Sequence, residues 1–399
     1  MLQSDCTAKL LDMEHMIFKN VEHSETTITL SVEMERRVCE CPACRTPTHT
    51  VHDYRTQKVK DSPIHGKAVI WLYRKRRYRC PCCGKRFYES NYLLPKWHHA
   101  TNRLALLTLN RLRVKVSRKE LADMMGVSPS TVARWLALAE FGKPSKLPRV
   151  LSIDEFKGNT EYGKFQCILT DPKKHQVLDI LPSFRESEIR QYLSAFPNRS
   201  SVQYFVTDMK REYVSVAKAL FPNATIVIDR FHVVRYCNWA LENVRKQMQK
   251  KLLPEQRRYF KRSRKLLLMR MSSLSPQNMD AVNRMLAFDR DLREAYLLKE
   301  KFYEFMASSG SKQAKERLRA FRAFAFAAEI PAFDACLTML KNWEPYILNA
   351  FDCPYTNGFT EGCNNTIKVI KRVAYGYRNF HNFRRRILLT LNAKEPHAA

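Results

Sequence analysis

Acidic residues are scarce in this 399-residue chain: 39 Asp and Glu stand against 69 Lys and Arg, a formal net charge of +30. A solvated surface needs no such imbalance, so the expected partner is a polyanion. Apolar runs of 18 residues are absent and no signal peptide is evident. That argues against a membrane-spanning helix, favours nucleic acid over membrane, and points to an intracellular setting. Internal repeats and low-complexity tracts are also missing, which leaves ordinary globular domains, two to four of them at this length. With 45% hydrophobic and 11% aromatic residues, the chain can bury real cores.

What is present is unevenly placed. Seven of the 12 cysteines fall within the first 83 residues. In an intracellular chain they argue for thiols and metal rather than disulfides. CPAC supplies Cys41 and Cys44, and CPCCGKRF supplies Cys80 and Cys83, the four thiolates that one structural Zn²⁺ requires. The loop between the knuckles is longer than the common ribbon spacing, and Cys39 and Cys82 are spare candidates outside the x-x register. Strand patterning is visible around Thr26–Val32. KAVIWLYRKRRYRC (67–80) reads as a strand pair with an aromatic and basic face suited to DNA backbone.

Residues 102–138 read as three helices. In VSRKELADMMGVSPSTVARWLALA (116–139) a helix is followed by a turn at Gly126 and a second helix capped by Ser128. This is the helix-turn-helix pattern, whose second helix enters the major groove and would bring Ser130, Thr131 and Arg134 nearest the bases. Similar hairpins occur in proteins that never touch DNA; the zinc ribbon and the charge favour DNA here. GKPSKLPRV (142–150), with two prolines and no apolar period, reads as a linker.

Beyond it, RVLSID (149–154), FQCILTD (165–171) and VLDILPS (177–183) read as an antiparallel meander. A helix follows over 185–196, capped by Ser183 or its neighbour. Then come a strand (202–209), a helix (211–221) and a strand entering another helix (225–234). That order matches a ribonuclease-H-like core. From about 230 to 350 the strands vanish into an all-helical insertion, with 321–343 apolar enough to make a core of its own. Its basic 245–265 stretch suits DNA or a flanking-end contact, or a plain solvated helix. The chain closes with a turn region, a final helix and the basic, aromatic tail YRNFHNFRRRILL.

Asp154 ends the first core strand and Asp208 the fourth, and those strands are neighbours in such a sheet. Like charges so close are costly unless cations bind between them, and oxygen ligands suit Mg²⁺ or Mn²⁺. Glu361, in the first turn of the final helix, is the third candidate. At about 100° per residue, Phe359, Cys363, Ile367, Ile370 and Ala374 share one arc; Glu361, Asn364, Asn365, Lys368 and Arg372 lie opposite. An acid, amides and cations on one face suit a metal and phosphates; Asn365 is taken as auxiliary, with Lys368, Lys371 and Arg372 as DNA contacts. Alternation lets only one of Asp154 and Glu155 face Asp208, and Glu155 is expected to cap or contact something outside the metals. Asp229 either caps the following helix or supports the metal shell, with His232 contacting a phosphate or a base.

These features, with the strings IDEFKG, TDMKREY, FPNATIVIDRFHVV and NGFTEGCNNTIKVIKRVAYGYRNFHNFRRRI, resemble the L-three (ISL-three) family of bacterial insertion-sequence transposases over essentially the whole chain. The resemblance implies a DDE transposase with catalytic Asp154, Asp208 and Glu361, an N-terminal zinc ribbon, binding to terminal inverted repeats and to target DNA, and a helical insertion between the second Asp and the Glu. Two Mg²⁺ or Mn²⁺ ions would serve it, Asp154 bridging them, Asp208 holding one and Glu361 the other. At least two copies must meet in the synaptic complex. No membrane is involved, and a cytoplasmic, nucleoid-associated bacterial location is expected.

The fold class is therefore multidomain α+β, with residues 1–98 carrying the zinc ribbon, 99–141 the helix-turn-helix and 142–148 the linker. The ribonuclease-H-like core begins over 149–235, is interrupted by the insertion (236–350), and resumes with its final helix and basic tail (351–399). The alternatives are a zinc-ribbon transcription regulator without catalysis and a ribonuclease-H-like nuclease or resolvase. A regulator has no use for three acids so arranged, and resolvases are usually small.

Overall fold

The computed structural model describes residues 8–96 and 98–392. The ends of the expected N-terminal region and basic tail, 1–7 and 393–399, lie outside these. The chain divides into two compact units, Met1–Phe141 with Ile367–Ala399, and Gly142–Thr366.

In the first unit, apolar alternation builds a sheet from β1 (Met16–His23), β2 (Thr27–Met34), β5 (Val51–Ile64), β6 (Lys67–Arg79) and β7 (Arg86–Tyr88); the short β3 (Cys39–Glu40) and β4 (Pro47–Thr48) pair with each other. The order is β1-β2-β6-β5, with β7 also on β6, and only β2 and β6 run parallel. The expected strand pair over 67–80 is instead one 13-residue strand. Trp71, Tyr73 and Tyr78 are buried while Arg74 and Arg79 are exposed, so its aromatics are not available on an open basic face. Arg76 is buried as well, held by Glu89 at 3.3 Å and Glu33 at 3.7 Å.

Three helices follow: α1 (Asn102–Leu112), α2 (Arg118–Met124) and α3 (Pro129–Leu138). Ser117 and Glu120 form a capping box on α2, and the Ser128 hydroxyl accepts the Thr131 N–H on α3, which begins at Pro129. Gly126, at φ +64°, makes the turn between them. Leu104, Leu112, Leu121, Val132 and Leu136 form the core of the trio.

In the second unit, β8 (Val150–Thr160), β9 (Gly163–Asp171) and β10 (Gln176–Leu181) form an antiparallel meander. Next come α4 (Glu186–Ser194), β11 (Tyr204–Thr207), α5 (Arg211–Leu220) and β12 (Thr225–Ile228), with β11 parallel to both β8 and β12. The strand order is β10-β9-β8-β11-β12, over a core that includes Leu151, Ile153, Leu169, Leu193 and Phe205. Two local expectations change. Ser183 does not cap α4; its hydroxyl accepts the Arg185 N–H at 3.1 Å, and Arg185 holds the cap position without a side-chain bond. Nor does the first strand end at Asp154. Its parallel partner stops at Ile153, opposite Thr207, while the hairpin with β9 continues to Thr160. Asp154 thus sits where β8 loses its neighbour on one side.

Six helices come next: α6 (Arg230–Lys250), α7 (Pro254–Leu268), α8 (Pro276–Ala287), α9 (Arg290–Met306), α10 (Ser311–Ala328) and α11 (Asp334–Asp352). Cys237, Leu241, Phe302, Phe321 and Leu340 belong to a core separate from that of the sheet. Glu329, at φ 49°, breaks the apolar 321–343 run into two helices.

Helix α12 (Gly358–Val373) passes the division at Thr366, and α13 (Phe380–Leu391) follows it. The segment 380–391 lies in the expected tail. It is an amphipathic helix with Phe380, Phe383, Ile387 and Leu388 buried, packed on α1 and α3. Arg386, only 2% exposed, donates to the carbonyls of Val114 and Val116 at 2.9 and 3.0 Å. Among the described residues, no helix is long and apolar enough to cross a membrane.

Candidate active site

Three elements distant in sequence bring carboxylates to one end of the second unit's sheet: Asp154 on β8, Asp208 just past β11 and Glu361 in the first turn of α12. His232, in the first turn of α6, lies between two of them. Its Nε2 is 3.0 Å from Asp208 Oδ2 and 3.6 Å from Glu361 Oε1. Each remaining acid oxygen named here is met by an N–H. Asn364 Nδ2 donates to Asp154 Oδ2 at 2.7 Å and to the Glu155 carbonyl at 3.3 Å. The Glu155 N–H reaches Asp154 Oδ1 at 2.7 Å, and Asn357 Nδ2 reaches Asp208 Oδ1 at 3.3 Å.

Beneath the acids lies a buried hydroxyl–amide network. Ser152 Oγ donates to Asn357 Oδ1 at 2.5 Å, and the Thr360 hydroxyl is 3.1 Å from Ser152 and 2.8 Å from Thr170. All four residues are fully buried, so each bond replaces one that water cannot supply, and together they register α12 on β8 and β9.

The electrostatics suit a divalent cation. Burial pushes the Asp154 carboxyl up to about 8, with the charges of Asp208 and Glu361 adding to it. Burial also raises Asp208 to about 6; Asp229 pushes the same way and the Asn357 hydrogen bond opposes it. Burial lowers His232, and Arg235 adds to the effect. Asp229 takes the capping role, its Oδ1 accepting the Phe231 N–H at 3.1 Å at the start of α6, while its buried Oδ2 has no hydrogen-bond partner. Asp208, Asp229 and His232 each offer a ligand atom, all within 4.8 Å of one another. An orphaned carboxylate oxygen beside proton-retaining acids is what a divalent cation would relieve.

Glu155 pairs with Lys210. Asn365 is exposed on α12, and the amide that meets Asp154 belongs to Asn364. Lys368 and Arg372 are exposed, and Lys371 is half-buried. On α3, Ser130 and Arg134 are exposed and Thr131 half-buried, with Arg134 Nη2 3.1 Å from the Thr131 hydroxyl. Sequence reasoning missed Asn357 and did not single out Asn364. The signal was available for Asn364, which lies four residues after Thr360 and three before Ile367, both buried.

In the first unit, the Cys41 and Cys80 knuckles repeat one backbone geometry. The N–H of Arg45 bonds the Cys41 carbonyl and that of Gly84 bonds the Cys80 carbonyl, with φ of 58° and 70° at the two donors. Sulfur separations are 3.6 Å for Cys41–Cys83 and 3.5 Å for both Cys44–Cys80 and Cys44–Cys83. A tetrahedron with Zn–S bonds of about 2.3 Å has edges of about 3.8 Å, so this donor set fits zinc. Hydrogen bonds to Thr46 lower the Cys44 thiol to about 6, favouring the thiolate. Cys39 bonds the Arg37 carbonyl and Cys82 is exposed, both outside the set.

The class these elements define is a mixed α/β protein with a buried acid cluster and a four-cysteine module that fits zinc. Comparison makes it specific. Residues 151–387 match the ISL3 family model described as a transposase, and residues 37–83 match the zinc-finger of transposase IS204/IS1001/IS1096/IS1165. The chain belongs to the ISL3 family of DDE transposases. It is 28% identical over 367 residues, 90% of each chain, to the transposase for insertion sequence element IS1001 of Bordetella parapertussis. It is 22% identical over 353 residues to the transposase for insertion sequence element IS1557 of Mycobacterium tuberculosis, covering 80% of this chain and 78% of that one. A 57-residue stretch is 44% identical to a Lactococcus lactis protein named ATP-dependent protease, but spans 14% of this chain and 18% of that one, too little to carry an activity across. Membership makes the chain a DNA-binding transposase that cleaves and transfers DNA, with a structural zinc module; neither the regulator nor the resolvase alternative is favoured.

Proposed function

We propose that the chain binds the terminal inverted repeats of an insertion sequence and cuts and joins DNA with Asp154, Asp208 and Glu361 as its DDE acids. The observation that carries this reading is the meeting of three carboxylates from β8, the end of β11 and α12, two of them against His232. The strand order β10-β9-β8-β11-β12, with its first three strands antiparallel, supports a ribonuclease-H-like core. The domain boundaries given above belong to the proposal, the last segment carrying two helices.

The donors suit two Mg²⁺ or Mn²⁺ ions, which supply Lewis acidity toward a phosphodiester and lower the pKa of bound water. Asp154 and Asp208 would offer ligand oxygens, in their deprotonated forms, to such ions. Asn364 and Asn357 hold those carboxylates in fixed rotamers. His232, kept neutral by its surroundings, spaces Asp208 from Glu361, and Asp229 backs it from the helix start. Glu155 anchors Lys210 near the acids, where the ammonium can meet a DNA phosphate. In the helix-turn-helix, Ser130, Thr131 and Arg134 face the major groove, while Lys368, Lys371 and Arg372 contact phosphates. Two DNA ends must meet, so the working assembly holds at least two copies.

The test is incubation of the protein with DNA bearing the element end and Mg²⁺ or Mn²⁺, followed by mapping of the cut and joined products. Asp154→Asn, Asp208→Asn and Glu361→Gln should each abolish cleavage while leaving end binding intact. Strand transfer retained by Asp154→Ala would sink the assignment.

A further inference from the structure

Helix α6 starts at the acids and carries an unusual outer face. Phe231, which precedes His232, is 59% exposed, and Trp239 is 50% exposed. Arg235 is exposed between them, its guanidinium 4.8 Å from the Trp239 ring centroid. Tyr236 supports the indole from the side, with centroids 5.5 Å apart. Steps of four residues place Phe231, Arg235 and Trp239 within about 80° of one face and along about 12 Å of helix. Single exposed apolar residues are ordinary, but two aromatics framing an arginine on one turn-spaced stripe are not.

Position decides what this face can hold. Phe231 is the residue whose N–H is taken by Asp229, and the neighbouring His232 touches Asp208 and Glu361. The Arg235 charge is felt at both Asp208 and His232. A partner here must be anionic enough to suit Arg235 and offer a flat π-face to the rings. Nucleic acid with a base out of the stack meets both needs, and a paired duplex offers no exposed base face.

We propose that the Phe231–Arg235–Trp239 face is a stacking platform for an unstacked nucleotide of the DNA strand next to the scissile phosphate. Arg235 binds that nucleotide's phosphate, and the Trp239 indole, with Phe231 nearer the acids, receives its base. The duplex is thereby opened where it is cut. This rests on the active-site reading above and adds the local form of the substrate.

The experiment compares wild type, Trp239→Ala and Trp239→Phe on two versions of the element end, one fully paired and one with unpaired bases beside the cleavage site. Trp239→Ala should cut the paired end on the order of tenfold more slowly, the loss of one base–ring stack, and should recover on the unpaired end. Trp239→Phe, which keeps a ring, should stay near wild type. Equal rates for Trp239→Ala and wild type on the paired end overturn the proposal, as does an equal loss on both ends. A change of oligomeric state in sedimentation, with no selective loss on the paired end, assigns the face to contact between copies and overturns it too. Tryptophan fluorescence titrated with a single-stranded oligothymidylate, without divalent metal, separates the two claims. Quenching lost in Trp239→Phe and Trp239→Ala supports the platform even if wild type cuts neither end, which would fault the active-site reading alone. Unchanged quenching overturns the platform alone.

Discussion

Asn364 Nδ2 donates to Asp154 Oδ2 at 2.7 Å, which ties the helix bearing Glu361 to the strand bearing the first acid. The bond aims the Asp154 carboxylate, since Oδ1 is already engaged by the Glu155 N–H. Hydrogen bonds to charged groups contribute about 1.5–3 kcal/mol, so Asn364→Ala should slow cleavage by on the order of tenfold or more. A gel-shift assay should show unchanged end binding. Cleavage at the wild-type rate would mean that Asp154 needs no such aim.

The network under the acids makes a stability prediction. Thr360→Val keeps the shape but removes the hydroxyl between Ser152 and Thr170, leaving the Thr170 hydroxyl without that partner in a fully buried place. A destabilisation of about 1–3 kcal/mol is expected. Denaturant unfolding measures it, and a shift within error would show that the neighbours absorb the loss.

Asp154 sets a pH dependence whose sign can be worked out. Its carboxyl moves from an ordinary 3.8 to about 8 in the folded chain. Between those values the native state keeps a proton that the unfolded state has released, so without metal this group's contribution to stability falls as pH rises through that window. Asp154→Asn removes the dependence. Thermal unfolding from about pH 5 to pH 9 should therefore favour the variant increasingly over wild type, and Mg²⁺ should restore wild type more than the variant. Parallel curves for the two proteins would contradict the assignment.

Zinc is checked by metal content. Wild type and Cys82→Ser should each hold one zinc ion per chain, whereas Cys44→Ser should hold less and lose end binding, because metal binding and folding of such a module are coupled. Full zinc in Cys44→Ser would exclude Cys44 as a ligand.

Much of the site was legible because its chemistry is local. Two x-x knuckles announce four thiolates, and acids at the ends of apolar strands announce an acid cluster. Ser128 and Gly126 mark a cap and a turn through their own backbone preferences. Asn364 touches Asp154 while Asn365 is exposed: the helical wheel drawn from apolar residues sets both opposite the core, yet a polar network extends the buried arc to Asn364. The tail was unreadable as a helix for a related reason. Its arginines suggested solvent, and the burial of Arg386 depends on two carbonyls far away in sequence.

The sequence by itself determined where most elements form and which residues could hold metal, because propensity, capping and side-chain spacing act within a few residues. Tertiary structure alone decided that β8 continues past Asp154, that the second oxygen of Asp229 is left unpartnered, and that Trp239 stays open to solvent. Those outcomes depend on which neighbour covers a group, and that neighbour comes from a part of the chain no local pattern can name.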